Sequence, residues 1–137
     1  MSISCRSGSL FQRVLHSVRT PRRHLNLLEF QSKGLLEEHQ VKVQKFLVAA
    51  SDAEAVTIPK KFPCEEYVIK AQILAGGRGK GTFDNGFKGG VHLTKDKRQV
   101  ASLCSSMLGH KLITKQTPPK GIPVSKVMVA EAIDIKR

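Results

Sequence analysis

A glycine-rich segment with three basic side chains is the part of this sequence that could do chemistry. It runs from Gly76 to Gly90 and carries Arg78, Lys80 and Lys88 among its glycines. Because glycine has no Cβ, several backbone N–H groups can approach one anion, and the basic side chains add positive charge where a phosphate would bind. The segment therefore predicts a phosphate-binding loop.

The common phosphate-binding fingerprints do not describe this loop. Gly81 rather than Ser or Thr follows Lys80, and the G-x-G-x-x-G spacing fails from both Gly77 and Gly79. Both of those fingerprints lead from a strand into a helix, whereas strand-like sequence flanks this loop on both sides. We expect a glycine-rich hairpin over phosphates. A flexible turn and an Arg-Gly segment that binds nucleic acid are the alternatives.

Lys70 is the lone charge in an apolar, partly β-branched run, Tyr67 to Leu74, which predicts a strand leading into the loop. From that strand its ammonium group could reach the same phosphates as a point charge, as the strand lysine of protein kinases does. The alternative is a surface lysine on an edge strand.

Hydrophobic patterns predict the elements that must position the loop. Asn26 and Glu29 stand at capping-box spacing at the start of the first helix, and Cys104 and Met107 read as core residues rather than ligands. The other elements are strands at 67–74, 91–94, 111–115 and 126–131, a strand within 41–48, and helices over 27–39, from Ser51 to a limit or kink at Pro59, and from Asp96 to Gly109. This order predicts a mixed α/β or α+β domain.

The first residues differ in composition from the rest. No Asp or Glu precedes Glu29, five arginines and several serines do, and Leu10, Val14 and Val18 fall on one side of a helix. This combination predicts a mitochondrial transit peptide over 1–24, with a basic surface helix or tail as the alternative. Five of the 23 basic residues lie there, which leaves 18 against 11 acidic residues, a net charge of +7.

Composition excludes several classes of protein. The chain of 137 residues has room for one modest domain, and no apolar run approaches the roughly 20 residues of a membrane-spanning helix. Its three cysteines are scattered without a C-x-x-C pair, which argues against a disulfide framework or a zinc site. The basic balance still points to an anionic partner.

Several long motifs, in order, resemble the β subunits of succinate–CoA ligase (succinyl-CoA synthetase), which are ATP-grasp enzymes. They are Leu27–Lys33, Val68–Gly81, Lys88–Lys95, Thr114–Thr117 and Val127–Asp134. The resemblance implies that residues 25–137 form the amino-terminal part of an ATP-grasp domain, of α+β class and truncated at its carboxy-terminal end.

The resemblance also implies which residues bind nucleotide. The phosphate contacts of the family fall on Lys70, Gly77, Arg78 and Gly79. Gln44 stands where the GTP-specific form has glutamine and the ATP-specific form has proline, so GTP/GDP is expected as the nucleotide. An amide can offer guanine a donor and an acceptor, which proline cannot. Asp134 is carried over as a weaker specificity position.

The implied reaction is succinate + CoA + GTP in equilibrium with succinyl-CoA + GDP + phosphate, in the tricarboxylic acid cycle of the mitochondrial matrix. The implied partner is the ligase α subunit, which carries the phosphohistidine. The Mg²⁺ ligands of the family are expected beyond residue 137, so the fragment alone is expected to be inactive. Neither nucleic acid nor, after import, a membrane is expected as a partner. A small basic mitochondrial RNA-binding module, and an inactive truncated product that competes for the α subunit, are the alternatives.

Overall fold

The computed structural model describes residues 26–133, which form three helices and two antiparallel sheets. The helices are α1 (Glu29–Glu38), α2 (Asp52–Lys61) and α3 (Lys97–Met107); the strands are β1 (Phe46–Ala49), β2 (Tyr67–Ala71), β3 (Thr82–Phe83), β4 (Val91–Thr94), β5 (Lys111–Ile113), β6 (Ile122–Pro123) and β7 (Val127–Glu131). Helices beside antiparallel sheets confirm the predicted α+β class.

The larger sheet has the strand order β1-β7-β2-β4, and the smaller one has the order β3-β5-β6. Strand β2 pairs with β7 on one side and with β4 on the other, both antiparallel. Lys70 therefore lies on an interior strand, and its interpretation as an edge-strand lysine is wrong. Strand β7 is central as well, and it is buried from Val127 to Ala130.

The core lies between the larger sheet and helices α2 and α3. Side chains alternate along β2, so that Tyr67, Ile69 and Ala71 are buried in this core. Lys70 consequently projects from the opposite face of the sheet. From α3, the core receives Val100, Cys104 and Met107, which confirms that Cys104 and Met107 are core residues.

Two helix boundaries differ from the predicted ones. Helix α2 begins after Ser51, which accepts a hydrogen bond from the backbone N–H of Glu54, as predicted, but it continues past Pro59 to Lys61. Pro59 lacks the N–H that would bond within the helix, yet it is buried beside Ile58 in the core, and this packing offsets the lost bond.

The start of α1 also differs, because Leu28 rather than Asn26 precedes its first turn. The backbone N–H of Leu28 donates to Oε1 of Gln31 at 2.8 Å. The expected capping pair of Asn26 and Glu29 is therefore wrong: Gln31 takes the capping role, which leaves the Glu29 carboxylate available for long-range contacts.

None of the helices within residues 26–133 has the length and apolar character needed to cross a bilayer. The predicted transit peptide at 1–24 and the predicted specificity position Asp134 both lie outside the described residues.

Candidate functional site

The glycine-rich segment forms a hairpin between β2 and β4, as predicted. Its tip is a short 3₁₀ turn, Arg78–Lys80, that follows Gly77, whose φ of +73° is in the left-handed region that glycine adopts without strain. The turn is tied back to the start of β4, because the N–H of Gly90 donates to the carbonyl of Arg78 at 2.8 Å. Backbone hydrogen bonds therefore tie the loop to the strand that follows it.

The exposed side of this turn carries unused backbone donors. Among the hydrogen bonds within residues 26–133, none uses the backbone N–H groups of residues 77–79, and both Gly77 and Gly79 are exposed to solvent. Consecutive free N–H groups in a tight turn form a concave donor site for an anion. Gly81, by contrast, is buried: a Cβ there would lie 2.9 Å from the carbonyl oxygen of Ile113.

Lys70 and Arg78 meet at one carboxylate. The Nζ atom of Lys70 lies 3.0 Å from Oε1 of Glu29, and a terminal guanidinium nitrogen of Arg78 lies 2.6 Å from Oε2 of the same residue. The other terminal nitrogen of Arg78 donates to the carbonyl of Ala71 at 2.8 Å. The first turn of α1 therefore brings a negative charge between the two cations predicted to bind phosphate.

The charges around Glu29 control its protonation. Partial burial acts to raise the pKa of Glu29, but the hydrogen bonds and positive charges of Arg78 and Lys70 outweigh it, so the pKa lies below its ordinary value. Burial lowers the pKa of the neighbouring Lys33, while the negative charge of Glu29 acts in the other direction.

Gln44 belongs to the same network through Lys33. The Nζ atom of Lys33 donates to Oε1 of Gln44 at 2.6 Å and lies 3.6 Å from Oε1 of Glu29. The amide nitrogen of Gln44 donates to the backbone carbonyl of Glu131, at the end of β7, at 2.7 Å. The structure thus brings together the described residues that were predicted as nucleotide ligands: Gln44, Lys70, Gly77, Arg78 and Gly79.

Glu29 and Lys33 are the members of this network that the sequence analysis missed. Their spacing of four residues on a predicted helix was a signal for an ion pair. Their links to Lys70, 41 residues from Glu29, and to Arg78, 49 residues from it, had no local signal.

RNA and a metal ion are the other ligands to consider at the described residues. The rings of Tyr67 and Phe83 are buried, so neither presents a face on which an RNA base could stack, whereas Phe30, Phe46, Phe62 and Phe87 are partly exposed. No group of three His, Cys, Asp or Glu residues within 26–133 could hold a metal ion, so these residues do not fit a Mg²⁺ site.

Comparison with known proteins shows the family to which the chain belongs. The ATP-grasp domain family matches residues 26–137. The chain is 52% identical over 147 residues to the mitochondrial GDP-forming succinate–CoA ligase β subunit of Mus musculus, covering 100% of this chain and 34% of that protein. It is 57% identical over 118 residues to the mitochondrial GDP-forming β subunit of Homo sapiens, covering 86% of this chain and 27% of that one.

An ADP-forming relative is also similar. The chain is 47% identical over 117 residues to the ADP-forming succinate–CoA ligase β subunit of Blastocystis sp. subtype 1, covering 82% of this chain and 28% of that protein. The chain thus spans about a third or less of the length of these relatives. The resemblance to succinate–CoA ligase β subunits is confirmed, and from the family match over residues 26–137 the chain belongs to the ATP-grasp domain family.

Proposed function

We propose that this chain is the nucleotide-binding, amino-terminal part of a GDP-forming succinate–CoA ligase β subunit. The proposed reaction is succinate + CoA + GTP in equilibrium with succinyl-CoA + GDP + phosphate. The similarity to the mouse and human GDP-forming subunits supports this proposal. Residues 1–24 act as the transit peptide, and the protein works in the mitochondrial matrix.

The observation that carries the proposal is the convergence of Lys70 and Arg78 on one carboxylate beside a turn with free backbone N–H groups. A single anionic group can therefore be reached by both cations. Phosphate oxygens of the nucleotide bind to these side chains and to the N–H groups of residues 77–79. Arg78 suits this role because its planar guanidinium donates to an anion and to the Ala71 carbonyl at once.

Gln44 contributes the preference for guanine. It lies in the same network as the phosphate-binding cations, since Lys33 connects its amide to Glu29. Asp134 is a further specificity position in this proposal. The ligase α subunit is the proposed partner, and it carries the histidine that is phosphorylated. The ligands for the Mg²⁺ that accompanies the nucleotide are expected outside residues 26–133.

Calorimetric titration tests the nucleotide site in the natural protein that carries these residues, co-expressed with the α subunit. GDP is expected to bind, and Lys70→Met is expected to weaken GDP at least tenfold through loss of a charge-assisted hydrogen bond, about 1.5–3 kcal/mol. Lys60→Met is the control, because Lys60 is an exposed residue of α2, on the opposite face of the sheet.

Three results would count against the proposal. They are no binding of either GDP or ADP, equal weakening by both substitutions, and failure of the α subunit to co-purify. Binding of single-stranded RNA that falls steeply with added salt and is unaffected by GDP would favour the RNA-binding alternative.

A further inference from the structure

The side-chain amide of Gln44 is held by two partners that each allow one role only. Lys33 has an ammonium group, which donates and cannot accept, so the amide oxygen must face it, at 2.6 Å. The backbone carbonyl of Glu131 accepts and cannot donate, so the amide nitrogen must face it, at 2.7 Å. Together these partners fix which way round the amide lies.

The Lys33 side chain is itself fixed. It is only 15% exposed, its Nζ atom lies 3.6 Å from the Glu29 carboxylate, and it stands 5.7 Å from the centre of the Phe46 ring. Ion-pair and cation–π contacts keep the ammonium group at this position. Contacts within the chain therefore hold the group in place without a ligand, and it can preset the orientation of Gln44.

We propose that Lys33 is a positioning residue for nucleotide specificity, which makes Gln44 a hydrogen-bond donor toward the purine base. This inference rests on the proposed function, because it requires a purine beside Gln44. Of the two N–H groups of the amide, one is used by Glu131 and the other is left for the base. The amide oxygen is occupied and polarised by a full positive charge, which strengthens the remaining N–H as a donor.

A Gln44 N–H held in this orientation distinguishes guanine from adenine at position 6 of the purine ring. Guanine carries the acceptor O6 at the position where adenine carries the donor N6–H₂. A Gln44 N–H bonds to O6, whereas it meets N6–H₂ as donor against donor. If the amide were free to turn over, its oxygen could accept from adenine, and this discrimination would weaken.

The test compares affinities for GDP, ADP and inosine diphosphate in the natural protein that carries this chain, with wild type, Lys33→Met and Lys33→Arg. Lys33→Met is expected to lower the ratio of GDP to ADP affinity by about 3- to 10-fold, the effect of one hydrogen bond. Loss of the Lys33 charge also alters the phosphate site, but equally for both nucleotides, so the ratio isolates the base. Lys33→Arg keeps a side chain that only donates, and it is expected to keep the preference for GDP over ADP.

Inosine diphosphate separates contact at O6 from contact at the guanine amino group, because inosine has O6 and lacks that group. It is expected to bind wild-type protein like GDP. Gln44→Glu is a second variant that leaves Lys33 intact but replaces the donor with an acceptor, and it is expected to shift the preference toward ADP.

Two outcomes would overturn the inference while leaving the proposed function in place. One is an unchanged ratio of GDP to ADP affinity in Lys33→Met, and the other is inosine diphosphate binding like ADP. If wild-type protein binds neither GDP nor ADP, the proposed function itself fails, and the inference fails with it.

Discussion

Glu29 and Arg78 are 49 residues apart in the chain, yet a guanidinium nitrogen of Arg78 donates to Oε2 of Glu29 at 2.6 Å. The same carboxylate accepts from Lys70 at 3.0 Å. It therefore offsets the repulsion between two cations that would otherwise face each other across the loop. The contact also joins the first turn of α1 to the glycine-rich hairpin.

Replacement of Glu29 by Gln should change how stability depends on pH. Because the pKa of Glu29 in the folded protein is below its ordinary value of 4.5, its ionised form stabilises the fold fully above that pH and loses this effect as pH falls below it. Glu29→Gln is expected to cost about 1–3 kcal/mol at pH 7 and less at pH 3. Urea unfolding at several pH values measures the difference.

Glu38→Gln is the control for this prediction, because Glu38 lies at the exposed end of the same helix. It is expected to leave the pH profile of stability unchanged. If the wild-type and Glu29→Gln profiles ran parallel between pH 7 and pH 3, the carboxylate would have no role in linking helix and hairpin.

Gly77 and Gly79, which are separated by one residue, should respond differently to replacement by alanine. Gly77 has a φ of +73°, so Gly77→Ala is expected to destabilise the protein by about 1–2 kcal/mol. A Cβ at Gly79 would meet no atom within 4 Å, and Gly79→Ala is expected to leave stability nearly unchanged while weakening nucleotide binding, because the methyl group would project where phosphate approaches. Thermal unfolding and calorimetric titration of both variants separate these effects. Equal losses of stability would contradict the prediction.

Arg78→Lys tests whether the shape of the guanidinium matters beyond its charge. Arg78 donates to Ala71 and to Glu29 from two different nitrogens, and the single ammonium group of lysine cannot reproduce both bonds. We expect a loss of about 1 kcal/mol in stability, as for one hydrogen bond, with weaker GDP binding. Lys60→Arg, on an exposed residue of α2 that likewise keeps the charge, is the control. Wild-type behaviour of Arg78→Lys would show that a point charge suffices.

Cys104 should resist alkylation in the folded protein. Burial, with a further contribution from the charge of Asp52, raises the pKa of its thiol to about 12, so very little thiolate exists at pH 8. Cys64, which is only half-buried, is expected to react before Cys104. Iodoacetamide labelling followed by peptide mapping gives the extent of reaction at each cysteine, and Cys104 should become modified only after urea is added. Fast labelling of Cys104 in native protein would mean that α3 opens readily.

Local signals were sufficient for the hairpin, for α3 and for β7, because glycine content, helical periodicity and a continuous apolar run each have a direct structural cause. They were insufficient where a residue had competing uses. Glu29 fitted a capping pair by spacing, but the cations of distant elements compete for its carboxylate. Pro59 was expected to limit or kink α2, but the helix continues past it, and Pro59 is buried there.

The candidate site likewise contains residues that local motifs indicate and residues that only the tertiary fold brings into it. Motif resemblance indicated Lys70, Arg78 and Gln44 as candidate site residues, whereas Lys33, which connects Gln44 to Glu29, could not be recognised as part of the network until the fold placed β1 beside the end of β7. Side-chain networks of this kind depend on tertiary geometry, and a single sequence contains no direct record of them.

Glu29 stands at the very start of α1, so the proposed removal of residues 1–24 as a transit peptide would leave it in place. A cut after Glu29 would instead remove the carboxylate that Lys70 and Arg78 share and leave these two cations to repel each other. If the amino terminus is processed as proposed, cleavage is therefore expected upstream of Glu29.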